Sequence, residues 1–337
     1  MTELTICIPC LNYTDYLIKT IESCLSIRNI KIFVHLSFNS IELSKSFIES
    51  KYYNHPQISW FLTGKKVNIH DSTHYSIMTS KGKWILFLSD DDLIHEKFLY
   101  EFDYKIMEEE DVYLTVIQAI DEKGNVKYTD MPLENRIYSQ EEIMKLFLKN
   151  ELRMSASFMI FHKKFYERLG PFCDTGYPNG YYGDNIFFGK ILANCNKAFT
   201  SCNIDIKRRE HINQQSSKFY FTKEVNNYFN VIAQVMSQDA NLKNYILKYF
   251  ETIENFKTEL KKYRIIIEWS KLHNKTYKAN YLLKLKFLYF LIFLLKVPNK
   301  FKLCFIISKL TNLLPNKFTT IYKKFIHFKL CKIKKYL

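Results

Sequence analysis

Short apolar runs alternate with amphipathic segments from the N-terminus to Ser89. The apolar runs have the length and composition of buried strands and cover Leu4–Pro9, Lys31–Leu36, Ile58–Leu62 and Trp84–Ser89. The segments between them predict helices over Tyr16–Leu25, Ile41–Glu49 and His70–Thr79. Strands that alternate with helices through short connections are typical of an α/β protein with a doubly wound, largely parallel sheet.

The pattern becomes mixed after the fourth apolar run. Further strands are predicted near Val112–Ala119, Val126–Tyr128 and Ser157–His162. Helices are predicted over His95–Glu108, from the capping box Ser139–Glu142 to Lys149, from Asp184 onward, over Phe219–Met236 and over Leu242–Leu272. The sheet region is therefore expected to give way to a helical region.

The formal net charge of +15 over 337 residues comes from one part of the chain. From Trp269 to Leu337 there are 16 lysines and no Asp, Glu or Arg. Residues 1–268 therefore carry 33 basic and 34 acidic side chains. The pattern indicates a nearly neutral body followed by a basic tail.

The tail also contains two apolar stretches, Phe287–Leu295 and Leu303–Leu314. As a helix, the first would be only ~14 Å long, against ~30 Å for the hydrocarbon core of a membrane. Because lysines beside an anionic leaflet each contribute about 1 kcal/mol, the tail predicts a peripheral anchor on an anionic membrane surface. The alternative is that both stretches pack on the body as core helices. A nucleic-acid-binding tail has no need of nine consecutive apolar residues, so no nucleic-acid partner is expected.

Composition excludes several classes of enzyme. The chain has only eight glycines, and neither the dinucleotide-binding nor the P-loop glycine motif occurs. Its eight cysteines are scattered without a dense framework, which favours a reducing compartment. Cys7–Cys10 matches C-x-x-C, but it runs along a predicted strand instead of opening a helix, as a redox motif does. No leader of basic and apolar residues begins the sequence, so a cytoplasmic protein is expected.

Three consecutive carboxylates, Asp90, Asp91 and Asp92, follow the most apolar strand. Adjacent carboxylates repel one another and raise each other's pKa, so the triplet brings no gain in stability. Mn²⁺ or Mg²⁺ removes this penalty by binding one or two carboxylates together with substrate phosphates. Ligands of open α/β sheets also bind at the carboxyl ends of strands. The triplet therefore predicts a divalent-cation site; a solvated turn in which one Asp caps the next helix is the alternative.

An ordered set of short motifs resembles the GT-A glycosyltransferases of family two over about residues 3–217. The segments are Thr5–Pro9 with Asn12, Ser80–Ile94, Phe161–Lys164, Gly170–Asp174, Gly183–Asp184 and Arg208–His211 with Ser216. Each motif is short, so their order is more specific than any single member. The resemblance implies a GT-A-like sheet and transfer of a sugar from a nucleotide sugar, with inversion at the anomeric carbon.

The resemblance also implies roles for individual residues. Asp91 and Asp92 would hold the cation, which offsets the charge of the leaving diphosphate. Asp184 would be the base that takes the proton of the acceptor hydroxyl. The remaining implied contacts are His211 and Arg208 with the diphosphate, Pro9, Leu11, Asn12, Asn39 and Asp90 with the donor nucleotide, and Tyr181 and Tyr182 with the acceptor. Three of these residues also have simpler interpretations, with Asp184 as a helix cap, His211 as a surface residue and Asn12 as a turn residue.

The sequence departs from the family at two places. Phe38 or Asn39 stands where relatives carry an acidic residue that contacts the base, so a UDP-sugar is only the default donor. Ser89 stands where many relatives have the first acid of the metal motif, which leaves open which two aspartates bind the cation.

Two rival functions are considered. A nucleotidyltransferase would need a glycine-rich phosphate loop, and Pro9–Asp15 contains no glycine. A non-catalytic scaffold is a second alternative, because Phe38 stands where relatives carry an acidic residue. The presence of the Asp triplet, Asp184 and His211 argues for a catalytic protein instead.

Together these patterns predict a metal-dependent inverting glycosyltransferase. Residues 1–217 would form the GT-A catalytic domain, 218–280 a helical extension and 281–337 a basic, membrane-associating tail. The acceptor would be a glycan or a lipid-linked hydroxyl in the synthesis of a surface polysaccharide or lipooligosaccharide. The enzyme would work on the cytoplasmic face of the plasma membrane.

Overall fold

The computed structural model describes residues 4–10, 13–39, 41–100, 102–129, 134–149, 151–152, 157–171, 183–201, 203–211 and 225–261. Its strands are β1 (Leu4–Cys10), β2 (Ile32–Phe38), β3 (Ile58–Leu62), β4 (Trp84–Phe87), β5 (Leu93–Ile94), β6 (Val112–Leu114), β7 (Ile117–Ile120), β8 (Val126–Thr129), β9 (Ile137–Ser139), β10 (Met159–His162), β11 (Lys197–Thr200) and β12 (Ile206–Arg209). Its helices are α1 (Asp15–Leu25), α2 (Ile41–Ile48), α3 (Ile69–Thr79), α4 (Gln140–Leu148), α5 (Lys163–Leu169), α6 (Gly183–Asn194), α7 (Val225–Met236) and α8 (Ala240–Phe250), with a short 3-10 helix at Tyr104–Ile106.

The larger sheet has the strand order β3-β2-β1-β4-β10-β6-β11-β9 within the described part of the chain. β1 pairs in parallel with β2 and β4, and β2 pairs in parallel with β3. β10 runs antiparallel to both of its neighbours, and β9 runs antiparallel to β11. The predicted α/β fold with a largely parallel sheet is therefore confirmed.

Apolar layers cover both faces of this sheet. Because side chains alternate along a strand, Ile6 and Ile8 of β1 join one layer with Leu17 of α1, while Cys7 faces the other layer with Ile77 of α3. Helices α4 to α8 add their buried side chains to the second layer. Burial on both faces explains why β1 and β4 are continuous apolar runs.

A smaller sheet, with the order β5-β12-β7-β8, was not predicted from the sequence. β12 pairs antiparallel with β5, where Ile206 lies opposite Ile94, and in parallel with β7. Since β5 begins directly after the acidic triplet, this pairing brings the end of β12 to the three aspartates.

The helix predicted over His95–Glu108 is wrong. The backbone N–H of His95 donates to the carbonyl of Asp205 at 2.8 Å, and the N–H of Leu99 donates to the Asp205 carboxylate at 3.3 Å. Leu99 also has a φ of 52°, which lies outside the right-handed helical region. The segment is thus bound to the residue that precedes β12.

The C-terminal helices join the core, although the helix predicted over Leu242–Leu272 is interrupted. Glu251 adopts a φ of 65° and ends α8 by donating its N–H to the carbonyl of Leu247. Residues 253–261 are helical again. Phe229 of α7 and Leu242 of α8 lie in the same apolar layer as α6.

The remaining sequence predictions for the tail fall outside the described residues. These are the end of the Leu242–Leu272 helix and the apolar stretches Phe287–Leu295 and Leu303–Leu314. Within the described ranges, no helix combines the length and the apolarity that crossing a membrane requires.

Candidate active site

The acidic triplet lies in the loop between β4 and β5, where α1 fixes its backbone. The hydroxyl of Thr20 lies 2.7 Å from the carbonyl oxygen of Asp92 and 3.2 Å from that of Asp90. The N–H of Asp92 donates to the carbonyl of Ser89 at 3.2 Å and closes a tight turn. Thr20 is fully buried, whereas Asp90 and Asp91 are half-buried. The buried Thr20 therefore fixes the loop to the core, and the carboxylates of Asp90 and Asp91 lie nearer the surface.

The Asp92 carboxylate points into the protein. Only 3% of the residue is exposed. Its Oδ1 accepts the backbone N–H of Arg209 at 2.9 Å, and its Oδ2 lies 3.4 Å from the hydroxyl of Ser157. Burial, and next the charge of Asp91, raise the pKa of Asp92. The carboxylate thus links the acidic loop to β12 and to Ser157, which lies two residues before β10. The predicted role of Asp92 as a metal ligand stays a prediction.

Asp91 and His211 lie in contact. His211 Nε2 lies 2.9 Å from Asp91 Oδ2. The imidazole ring of His211 also packs against the ring of Tyr16, with the two ring centres 5.2 Å apart. Two potential ligands of a divalent cation therefore meet at the carboxyl end of β4.

Arg209, which sequence reasoning did not select, is the arginine bound to the acidic loop. Its Nε donates to the carbonyl of Asp91 at 3.1 Å, and its Nη1 donates to the carbonyl of Glu122 at 3.0 Å. The guanidinium lies 4.8 Å from the ring centre of Tyr16. Arg209 and His211 therefore share one side of the chain, as residues two apart in an extended segment do.

Arg208 has its described contacts on the other side. Its guanidinium donates to the hydroxyl of Tyr128 at 2.6 Å and to the carboxylate of Glu210 at 3.0 Å. Lys127 also pairs with Glu210 at 2.6 Å. Arg208 thus belongs to an ionic cluster on the smaller sheet, and its predicted contact with the diphosphate remains a prediction.

The end of β2 carries Phe38 and Asn39. The ring of Phe38 is fully buried and packs against Phe47, with ring centres 5.0 Å apart. The amide of Asn39 accepts the backbone N–H of Val67 at 2.6 Å and donates to the carbonyl of Val67 at 2.8 Å. Asn39 therefore fixes the loop that leads into α3, and its contact with the base of a nucleotide stays a prediction.

Asp184 lies in the first turn of α6, close to where the sequence predicted a helix to start. Its Oδ1 accepts the backbone N–H of Asn185 at 2.8 Å. Burial raises the pKa of the Asp184 carboxyl above its ordinary value. Gly183, which precedes it, lies against the buried ring of His70 in the first turn of α3. Asp184 is thus a carboxylate of raised basicity at a helix start.

Several predicted site residues lie outside the described part of the chain, namely Leu11, Asn12, Tyr181 and Tyr182. Pro9 is described and buried in β1, opposite Ser37 of β2. Among the described residues, no group of three or more His, Cys, Asp or Glu side chains could hold a metal ion.

The sequence did contain a signal for one of the missed residues. Arg208 and His211 are three positions apart, and in an extended chain such residues face opposite sides. Recognising a strand at residues 206–209 would have selected Arg209 instead of Arg208. Thr20, Tyr16 and Ser157 gave no comparable signal, because their contacts depend on how α1 and β10 pack.

Known proteins resemble this chain in sequence over part of its length and in fold over most of it. Residues 5–170 match the sequence model described as Glycosyl transferase family 2. Among curated proteins there is no significant match.

Solved structures of S. aureus TarS share the fold at low sequence identity. TarS 1–349 in complex with UDP-GlcNAc is 15% identical, with a TM-score of 0.54 over 74% of this chain and 73% of that chain. The complex of TarS 1–349 with UDP is 16% identical, with a TM-score of 0.51 over 75% and 72%. Full TarS is 14% identical, with a TM-score of 0.54 over 89% of this chain and 50% of that chain.

The family match covers β1, β4 and the acidic triplet, whereas β11, β12 and His211 lie beyond it. Residues 5–170 form a glycosyl transferase family 2 domain, and the chain is a glycosyltransferase.

Proposed function

We propose that this glycosyltransferase moves a sugar from a UDP-sugar to an acceptor hydroxyl in an inverting reaction that depends on a divalent cation. The observation that carries the proposal is the 2.9 Å approach of His211 Nε2 to Asp91 Oδ2. Both groups lie at the carboxyl end of β4, which is where open α/β sheets bind their ligands.

The residues around Asp91 fit Mn²⁺ or Mg²⁺. A carboxylate oxygen suits both ions, and an imidazole nitrogen is a further ligand that Mn²⁺ accepts. Sites of this kind use one or two carboxylates and are completed by substrate phosphates and water. Asp91 and His211 would hold the cation, whose charge would offset the negative charge that develops on the leaving diphosphate.

Asp92 and Arg209 hold Asp91 and His211 in position. The buried carboxylate of Asp92 accepts the N–H of Arg209, and the side chain of Arg209 donates back to the carbonyl of Asp91. This reciprocal pair fixes β12 to the acidic loop, so it sets the separation of Asp91 from His211. We therefore assign the cation to Asp91 with His211 and a positioning role to Asp92.

Asp184 is the proposed general base. A base works best when its pKa lies near the operating pH, and burial raises the pKa of Asp184 in that direction. Inversion requires the acceptor hydroxyl to attack opposite the leaving diphosphate. Asp184 at the start of α6 would take the proton of that hydroxyl.

The donor is proposed from the TarS complexes. TarS 1–349 is described with UDP-GlcNAc and with UDP, which supports a UDP-sugar for the related fold of this chain. Pro9 and Asn39, at the ends of β1 and β2, lie at the same sheet edge as the acidic loop.

A glycan or lipid-linked acceptor and work at the cytoplasmic face of the membrane are further parts of the proposal. They rest on the 16 lysines and two apolar stretches of the last residues, Trp269–Leu337. Such a tail would place the active site beside an acceptor that is itself anchored in the membrane.

A panel of nucleotide sugars tests the function directly. The full-length protein is incubated with Mn²⁺ and UDP-, GDP- or dTDP-sugars, and the release of nucleoside diphosphate is measured. A UDP-sugar is expected to give the fastest release. Release from a GDP- or dTDP-sugar alone would correct the nucleotide, and release from none of the donors, with or without an acceptor mixture, would contradict the proposal.

A further inference from the structure

The first turn of α3 lies directly against the first turn of α6. A Cβ atom placed on Gly183 would lie 2.8 Å from Nδ1 and 2.9 Å from Nε2 of His70, and closer still to Cε1. Real Cβ atoms do not approach other heavy atoms within 3.0 Å. The backbone of residue 183 therefore meets the imidazole ring at a distance that only glycine permits.

His70 has little room to move away. Only 5% of the residue is exposed. The helix that carries it is fixed at its start, because Asn68 caps α3 through the N–H of Asp71 at 2.8 Å. The preceding residue, Val67, is held through two hydrogen bonds to Asn39 at the end of β2. A chain of contacts thus runs from the sheet edge, through α3, to the residue before Asp184.

We propose that His70 is a positioning residue for Asp184, acting through the contact of its ring with Gly183. This inference rests on the proposed role of Asp184 as the general base. Asp184 lies in the first turn of α6, so the backbone position of Gly183 sets where its carboxylate points. Displacing a catalytic group by about 1 Å lowers the rate by roughly 100-fold, so a support at this position affects the chemical step.

The test uses five variants of the full-length protein, one of which is Asp184→Asn. His70→Ala removes the ring, Gly183→Ala adds a methyl group that overlaps it, and the double variant makes both changes. His74→Ala is the matched control, since His74 lies one turn further along α3 and binds the hydroxyl of Tyr166 at 2.8 Å. For each variant kcat, the KM for the donor and the melting temperature are measured.

We expect His70→Ala and Gly183→Ala each to lower kcat by roughly 10- to 100-fold, with the KM for the donor unchanged. In the double variant the methyl group occupies space that the ring has left, so its loss is expected to be smaller than the product of the two single losses. His74→Ala is expected to lower the melting temperature without lowering kcat.

Three results would overturn the inference. If Asp184→Asn is inactive but His70→Ala keeps the wild-type kcat, His70 does not position the base, and the proposed function stands. If Asp184→Asn keeps the wild-type kcat, the base assignment and the role of His70 are both wrong. A kcat that falls only in proportion to the unfolded fraction, with the same loss in His74→Ala, would also reduce His70 to a structural residue.

Discussion

At the scale of single residues, three adjacent aspartates have three different surroundings. Asp92 is buried and bonded to Arg209 and Ser157, Asp91 faces His211, and Asp90 is half-buried with its carbonyl near Thr20. Sequence alone cannot separate them, because the difference arises from how β12 and α1 meet the loop. We therefore propose that Asp91 is a cation ligand and that Asp92 is a structural carboxylate.

The first prediction contrasts Asp92→Ala with Asp91→Ala. Removing the Asp92 carboxylate leaves the buried N–H of Arg209 without its acceptor, so the free energy of unfolding is expected to fall by about 1–3 kcal/mol. Asp91→Ala removes a side-chain pair without leaving a buried backbone N–H unpaired, so it is expected to cost less stability than Asp92→Ala while abolishing transfer. Urea denaturation and transfer assays on both variants measure these effects. Equal destabilisation by the two substitutions would contradict the different roles proposed for Asp91 and Asp92.

The second prediction concerns the pH dependence of Asp184. Because burial raises the pKa of this carboxyl, it takes up a proton at a higher pH than an ordinary Asp, whose pKa is about 3.9. As the pH falls through the raised pKa, kcat/KM is expected to fall with it. Asp184→Asn is expected to lower the rate by a factor of roughly 10²–10⁴, with donor binding nearly unchanged. The fall of kcat/KM at low pH is expected to disappear in this variant. A profile whose acid limb is identical in the variant would assign the limb to another group.

At the scale of elements, the smaller sheet is what completes the site. The apolar runs and the strand-like segments of the sequence predicted β1, β2, β3, β4 and β10 to within a few residues. They missed β5 and β12, because Leu93–Ile94 is short and Ile206–Arg209 is mostly basic. The break at Glu251 was also invisible, since neither glycine nor proline occurs there. A two-residue strand and a strand of mostly basic residues leave no local pattern of apolar positions.

The third prediction concerns Asp205, which ties β12 to the larger sheet. Its carboxylate accepts from the hydroxyl of Tyr113 and the N–H of Val116, each at 2.9 Å. Burial raises the pKa of Asp205 to about 7. The folded state therefore keeps a proton that the unfolded state has lost between about pH 4 and 7, and stability from this group falls as the pH rises through that window.

Asp205→Asn removes this titration. The variant is expected to gain stability relative to the wild type as the pH rises from 4 to 7, and to show no further relative change above pH 7. Unfolding free energies from urea denaturation across this range measure the difference. A constant difference at every pH would contradict the buried, protonated form.

At the scale of the whole molecule, a nearly neutral catalytic body is followed by a strongly basic tail. Within the described residues, the motifs that predicted the family lie on or beside β1, β4, β10 and β12 and at the start of α6. The acceptor left no such motif among the described residues.

The fourth prediction assigns membrane binding to the tail. Truncation after Lys278 is expected to abolish flotation with anionic liposomes, because lysines near an anionic leaflet contribute about 1 kcal/mol each. Full-length protein is expected to bind anionic but not neutral liposomes, and less at high salt, where charges are screened within a few ångströms. Transfer to a soluble acceptor is expected to survive truncation. A truncated protein that unfolds would instead place the tail in the core.

The most direct measurement is the affinity for the nucleoside diphosphate of the active donor, determined by calorimetry with Mn²⁺ and again in excess chelator. The cation held by Asp91 and His211 is expected to contribute at least about 1.4 kcal/mol, a tenfold change in Kd. Chelation, Asp91→Asn and His211→Ala are each expected to weaken binding by that amount or more, while binding of the bare nucleoside changes little. An affinity that is the same with chelator, and the same in Asp91→Asn, would contradict the proposed cation site.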